Sequence, residues 1–375
     1  MAESGILENA KNYQRLKQGL SLFYLFWTPF LLGLMAFTPF SLFLDAISGA
    51  LAPQPYARLA VYFTLFSLIF LFLDLPLSYF SGYEIEHRFE LSTQSKRNWA
   101  FFFFKRALLS FAFSMGLLML LYTVIWRFPD HWWFWAWAGY AAVSYVAGKV
   151  FPVWVVPMFY KYDRVTDEGL KARIFRLTER FGLPLQNLYS LNLSKTTKKA
   201  NAAFMGMGKT KRVVLSDTLI SNFTPEEIEI VVAHELGHYK HHDIVKQLVF
   251  GLAASLAAFA IAFHFLRILA AGNGYSGAGD IAAMPLLFFI FYGFGLLLTP
   301  VQSAFSRRME RAADRFALEA VPHTEVFVSC MQKLAKVNLS DPSPNPLYEW
   351  FFYDHPSIAR RIRLARDWQA SRGAA

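Results

Sequence analysis

Residues Val231 to Asp243 read VVAHELGHYKHHD, and within them His234, Glu235 and His238 form the pattern H-E-x-x-H. On a helix, positions four apart share a face, so both imidazoles can be directed at one cation. Glu235, adjacent to the first histidine, can reach a water on that cation without itself ligating. Two ligands and one base from a single helical turn are the parts of a zinc hydrolase. A catalytic zinc takes a third protein ligand and leaves its fourth position to water. That ligand is expected in SRRMERAADRFAL, where Glu310 would complete the set. Asp314, four residues on and on the same face, suits a carboxylate that fixes a histidine tautomer. One Zn2+ per chain is expected. The plainer alternatives are histidines satisfied on a surface helix and a Glu310 paired with Arg307 or Arg311. The single cysteine, Cys330, excludes an intrachain disulfide and a cysteine zinc cluster, and reads as a small buried apolar residue.

The surrounding pattern supports a helix for the motif. In FTPEEIEIVVAHELGHYKHH, Thr224 can cap, Pro225 fits the first helical position, and Glu227 completes a capping box. Ile228, Val231, Val232 and Leu236 give the spacing of an amphipathic helix. Upstream, DEGLKARIFRLTERFG reads as a helix ending at Gly182, with Pro184 just beyond. Strand-like pieces LYSLNL, ANAAFMG and KRVVLS follow, the last two separated by a turn at MGKT. His241 and His242 are expected to be solvated and to face headgroups.

The rest of the chain is built for lipid. Of its 375 residues 55% are apolar and 39 are phenylalanine, more than one soluble core of this size uses. Six apolar runs are readable, roughly 19–44, 59–80, 107–126, 132–157, 248–269 and 282–304. The stretch from Ala107 to Trp126 carries no charge and is long enough to cross about 30 Å of hydrocarbon. The polar segment before the first run is too long and too mixed in charge for a signal peptide, so that run is expected to be a retained span. The connections 45–58, 127–131 and 270–281 carry Arg58 and Arg127 and little other positive charge, while the remaining segments are basic. The positive-inside rule puts those basic segments in the cytosol, and the even number of spans between His238 and Glu310 returns the chain to one face. A net charge of +10 is then explained by topology and anionic headgroups, not by nucleic acid.

Six blocks together carry a resemblance: YEIEHRFELSTQS, PMFYKYDRVTDEGLKARI, ANAAFMGMGKTKRVVLSDTLI, HELGHYKHHD, SRRMERAADRFAL and DHPSIARRIR. From about residue 77 to 367 the sequence resembles the type I CAAX prenyl protease family, membrane-embedded zinc metalloproteases related to the heat-shock membrane metalloproteases. The resemblance implies zinc ligands at His234, His238 and Glu310 and a base at Glu235. It implies that Asn201 and Ala202 lie on a strand edge that pairs with substrate. It also implies that His355 and Arg361 approach the zinc, to stabilise an oxyanion or hold a substrate carboxylate. Family members often carry a larger aromatic where this chain has Ala203.

The expected fold is mainly α. A polytopic membrane helix bundle of six or seven spans encloses a chamber and carries a small α/β zincin-type catalytic domain at its cytosolic face. The expected order is a cytosolic segment 1–18, four spans in 19–157, the first part of the peptidase domain in 158–246, a two-span hairpin in 247–304 and the second part in 305–375. The expected function is zinc-dependent endopeptidase cleavage of membrane-associated peptide or protein substrates, of CAAX type with a prenylated C-terminus. The alternatives are a bacterial-type quality-control protease without prenyl specificity, and a transporter or channel with a structural zinc site. Partners are substrate and lipid bilayer, with no nucleic acid and the oligomeric state undetermined. The location is a bacterial inner membrane or the endoplasmic reticulum membrane.

Overall fold

A computed structural model describes residues 2–183, 187–205 and 212–373. Pro184 and the MGKT turn lie outside the described residues. In chain order the helices are α1 (Ala2–Phe37), α2 (Phe40–Leu51), α3 (Pro55–Tyr79), α4 (Ile85–Arg88), α5 (Lys96–Arg127), α6 (Trp132–Val150) and α7 (Val156–Phe159). A first strand β1 (Tyr162–Arg164), helix α8 (Glu168–Arg180), and strands β2 (Leu188–Leu191), β3 (Ala202–Met205) and β4 (Arg212–Ser216) follow. Then come α9 (Asp217–Asn222), α10 (Pro225–Lys240), α11 (Asp243–Gly272), α12 (Met284–Ala320), α13 (Thr324–Asn338), α14 (Pro346–Phe352) and α15 (Ile358–Gly373).

Among the described residues, six helical stretches are long and apolar enough to cross a membrane: Leu7–Phe37, Pro55–Arg88, Lys96–Arg127, Trp132–Phe159, Asp243–Gly272 and Ile281–Ala320. Phe26, Phe72, Leu108, Ile268 and Leu297 on these helices are each exposed over more than two thirds of their surface. Such faces are stable only against hydrocarbon. The 81–106 connection supplies no seventh span; its two ends lengthen the second and third spans into polar territory. The first apolar run is a correction. It was expected as one span over 19–44, but it breaks at Pro39 into α1 and the short α2. A proline disfavours helical conformation in the residue before it and lacks the amide that would continue the ladder. The short helix then buries Ser41, Asp45 and Ser48, and Asp45 is paired with Arg58.

The polar parts gather at one end of the bundle. Tyr13 of α1 donates to Glu86, Gln14 donates to the Leu339 carbonyl, and Lys199 pairs with Glu86. Residues on both sides of spans one and two thus meet the sheet unit, as an even span count requires. Among the described residues the sheet has four strands in the order β1-β2-β4-β3, which leaves β3 as a free edge. β1 had no signal in the sequence; its three residues are held by antiparallel pairing to β2. One sheet face, with Leu188, Val213 and Leu215, packs on α8 and α10 in a core that also holds Ile174, Val232 and Leu236.

Local chemistry sets the ends of the helices that matter. Thr224 and Glu227 form the reciprocal capping box on α10. Gly182 takes φ +74 and its amide reaches back to the Glu179 carbonyl, closing α8 in the way glycine allows. α12 is continuous for 37 residues, so one helix is both the sixth span and the carrier of Glu310 and Asp314. It crosses α10 closely at Gly237, where an added Cβ would stand 3.0 Å from the Ala313 Cα. We expect Gly237→Val to force α10 off α12, costing about 1–3 kcal/mol of stability. Reduced metal retention measured beside the thermal transition checks this, and wild-type values for both would contradict it.

Candidate active site

α10 presents His234 and His238 to Glu310 of α12, and Glu235 to β3. His234 Nε2 lies 3.1 Å from Glu310 Oε2, His238 Nε2 lies 3.2 Å from Glu310 Oε1, and the two Nε2 atoms are 3.2 Å apart. One ligand atom from each of these residues falls within 4.8 Å of the others. His234 and Glu310 are buried and His238 is half-buried.

The opposite ring nitrogens fix the tautomers. His234 Nδ1 is 2.9 Å from Asp314 Oδ1, and His238 Nδ1 is 2.9 Å from Asp243 Oδ2. A carboxylate only accepts, so each Nδ1 carries the hydrogen and each Nε2 of a neutral ring is left with a bare lone pair. Three acceptors then face one another, and among the described residues the buried Glu310 Oε2 finds no aligned hydrogen bond despite its nearness to His234. Only protons or a cation reconcile that arrangement. Two imidazoles and a carboxylate, with an open side toward the cleft, form a donor set that fits zinc.

Asp314 is itself held. Arg361 donates from Nε to Oδ2 at 2.9 Å and from Nη2 to Oδ1 at 2.5 Å. Arg361 Nη2 and His234 Nδ1 share that oxygen, which places them 3.3 Å apart. The resemblance implied a guanidinium for an oxyanion or a substrate carboxylate. Arg361 does line the cleft, but its Nε–Nη2 edge is committed to Asp314 behind His234. His355 is half-exposed at the rim, with Nε2 3.2 Å from Glu310 Oε1 and Nδ1 2.8 Å from Asp354 Oδ1.

The free edge of the sheet completes the cleft. Asn201 precedes β3, and its carbonyl accepts from the Ser216 amide on β4. By the two-residue alternation of a strand, the main-chain groups of Ala202 and Phe204 turn outward. Phe204 N donates to Glu235 Oε2 at 3.4 Å, a long contact that a substrate carbonyl could replace. Asn201, Ala202, His234, Glu235, His355 and Arg361 all line one cleft of about 480 Å³.

Several functional neighbours escaped the sequence. Asp243 gave no periodic signal, because it reaches His238 only after His242 turns the chain through φ 59. Phe204 and Asp354 lie within the ANAAFMG and DHPSIARRIR blocks, which gave neither of them a role. His241, expected in solvent, is half-buried against Phe316 at 5.9 Å, while His242 is exposed. Cys330 is fully buried, and burial pushes its thiol up to about 12, so it is inert packing.

Without a metal, the cluster takes up protons. Burial alone would lower the His234 pKa, but the neighbouring Asp314 and Glu310 carboxylates outweigh it and raise the value from 6.5 to about 9. His238 moves the same way: burial opposes, and Glu310 prevails. A raised pKa stabilises the metal-free fold fully below 6.5, and that contribution is lost as pH climbs through about 9. Zinc uptake below pH 9 must therefore expel the His234 proton. Its apparent affinity should rise about tenfold per pH unit over this window for each proton displaced. Zinc titrations by calorimetry in buffers of different ionisation enthalpy check this, and pH-independent affinity without proton release would contradict it.

The sequence matches two family models, Peptidase family M48 over residues 165–369 and the CAAX prenyl protease N-terminal region of five membrane helices over residues 3–161. It is 30% identical over 307 residues to CAAX prenyl protease 1 of Saccharomyces cerevisiae, covering 77% of this chain and 68% of that one. It is 29% identical over 328 residues to the uncharacterized metalloprotease YhfN of Bacillus subtilis, covering 84% and 75%. The fold matches the crystal structure of Ste24p from S. mikatae with a TM-score of 0.85 and 26% identity, over 96% of this chain and 89% of that one. With spans, sheet and histidine–carboxylate cluster each in place, the chain belongs to peptidase family M48 and is a multi-pass membrane metalloprotease.

Proposed function

We propose that the chain hydrolyses peptide bonds of membrane-tethered substrates, with CAAX-type cleavage next to a prenylated cysteine as its specific reaction and the cleft opening to the cytosol. The observation that carries this reading is α12, one unbroken helix running from a lipid-facing span to Glu310 in the histidine–carboxylate cluster. A site so close to the membrane surface serves a substrate that cannot leave it. The basic segments at that end support the cytosolic side, and similarity to CAAX prenyl protease 1 supports the substrate class.

His234 and His238 would hold zinc through Nε2 and Glu310 through its carboxylate. Zinc, when bound, supplies Lewis acidity and lowers the pKa of water at the site. Glu235 takes the proton from the attacking water and returns it to the leaving amine as the C–N bond breaks. The outward main-chain groups of Ala202 and Phe204 pair with an extended substrate and align its scissile carbonyl, with Asn201 beside them. His355, at the rim beside Glu310, would stabilise the tetrahedral oxyanion. Arg361 and Asp314 act as positioning residues, since together they lock the His234 ring with Nε2 toward the metal. Asp243 does the same for His238.

A protease clearing membrane proteins without prenyl preference would use the same residues and is the second reading. Comparison of a farnesylated peptide with its unmodified twin separates the two. A higher kcat/KM for the farnesylated peptide is expected, and equal values would establish the second reading. Glu235→Gln should keep its zinc and lose about 10²–10⁴-fold in turnover. Arg361→Ala should weaken zinc binding by about 10–100-fold, with activity restored by added zinc. Lost activity at unchanged zinc affinity would instead put Arg361 in contact with substrate.

A further inference from the structure

A second cavity, of about 570 Å³, continues from the catalytic cleft. Asn201 and Ala202 line both spaces. The register of the sheet explains its position. Ala202 is opposite Leu215 and Phe204 opposite Val213, and these four side chains belong to the core face that packs on α8 and α10. Ala203 is opposite Val214, Leu191 is opposite Ser216, and these four line the second cavity on the other face of the sheet. Its far wall comes from the membrane helices: Phe102 and Leu109 of α5, and Phe151, Val155, Val156 and Phe159 where the fourth span ends. Arg106 is the one charged side chain among the described residues that line it. Phe151 is half-exposed and Trp154 is 73% exposed on the outer surface of that span, so the cavity lies beside lipid-facing helix.

We propose that this cavity is the subsite for the isoprenoid chain of the substrate's modified cysteine. The inference rests on the CAAX reading of the cleft. A strand added to the free edge of β3 sends alternate side chains to opposite faces of the sheet. Every second substrate side chain is therefore directed over Ala203 and Val214, into this space. An ordinary side chain would leave most of it unfilled. A long branched hydrocarbon fills it and gains the favourable transfer of apolar surface out of water. Ala203 and Val214 form the floor of this space. A different apolar cavity, about 510 Å³ between Phe63, Leu118, Trp135 and Phe259, lies among the spans but shares no lining residue with the catalytic cleft.

The test uses full-length zinc-loaded enzyme in detergent or nanodiscs. Two wall variants, Leu109→Trp and Val156→Trp, are assayed on a farnesylated peptide and its unmodified twin. The ratio of their kcat/KM values should fall about tenfold or more in each variant. In parallel, Glu235→Gln enzyme is photolysed with a peptide whose isoprenoid carries a diazirine, and the adducts are mapped by mass spectrometry. Adducts are expected in residues 102–110 and 151–159. A wild-type enzyme with no preference for the farnesylated peptide would overturn the CAAX reading itself. A wild-type preference that both variants retain would overturn the subsite alone. So would adducts confined to bilayer lipid or to the cavity around Trp135.

Discussion

Two imidazoles and a carboxylate with nothing but lone pairs turned toward one another are the constraint on which this fold depends. His234 and His238 cannot relieve it by turning, because Asp314 and Asp243 hold their Nδ1 hydrogens at 2.9 Å. Glu310 cannot withdraw, because it sits on a helix pinned against α10 where Gly237 meets Ala313. Burial removes the water that would otherwise separate like partners, so either cation or proton must be supplied. The architecture makes the cation the better answer, by keeping a side of the cluster open to the cleft.

The membrane enters through that same cluster. α11 begins at Asp243, the residue that orients His238, and α12 carries Glu310 beyond its apolar stretch. Each imidazole is thus tied to a spanning helix by a carboxylate, and the metal set is closed only when the two-span hairpin is in place. Chain connectivity alone would place His238 and Glu310 far apart, with 71 intervening positions spent on two crossings of the bilayer.

Much of this was legible in the residues. The capping box at Thr224 and Glu227 fixed the start of α10, and four-residue spacing put His234 with His238 and Glu310 with Asp314. Parity of the spans put both pairs on one side. Period and parity are local properties, readable without knowing the packing. What stayed hidden depended on tertiary geometry. Asp243 works through one left-handed residue, His242, and Arg361 finds Asp314 across 47 positions. β1 exists only by virtue of its neighbour, and the break at Pro39 was masked by uniform hydrophobicity on both sides.

X-ray absorption at the zinc K-edge of purified, folded protein tests the central claim most directly. The account predicts one zinc per chain, nitrogen and oxygen scatterers at about 2.0–2.1 Å, and outer-shell scattering from two imidazoles. Folded protein without zinc, or a zinc shell containing sulfur or a single imidazole, would contradict it.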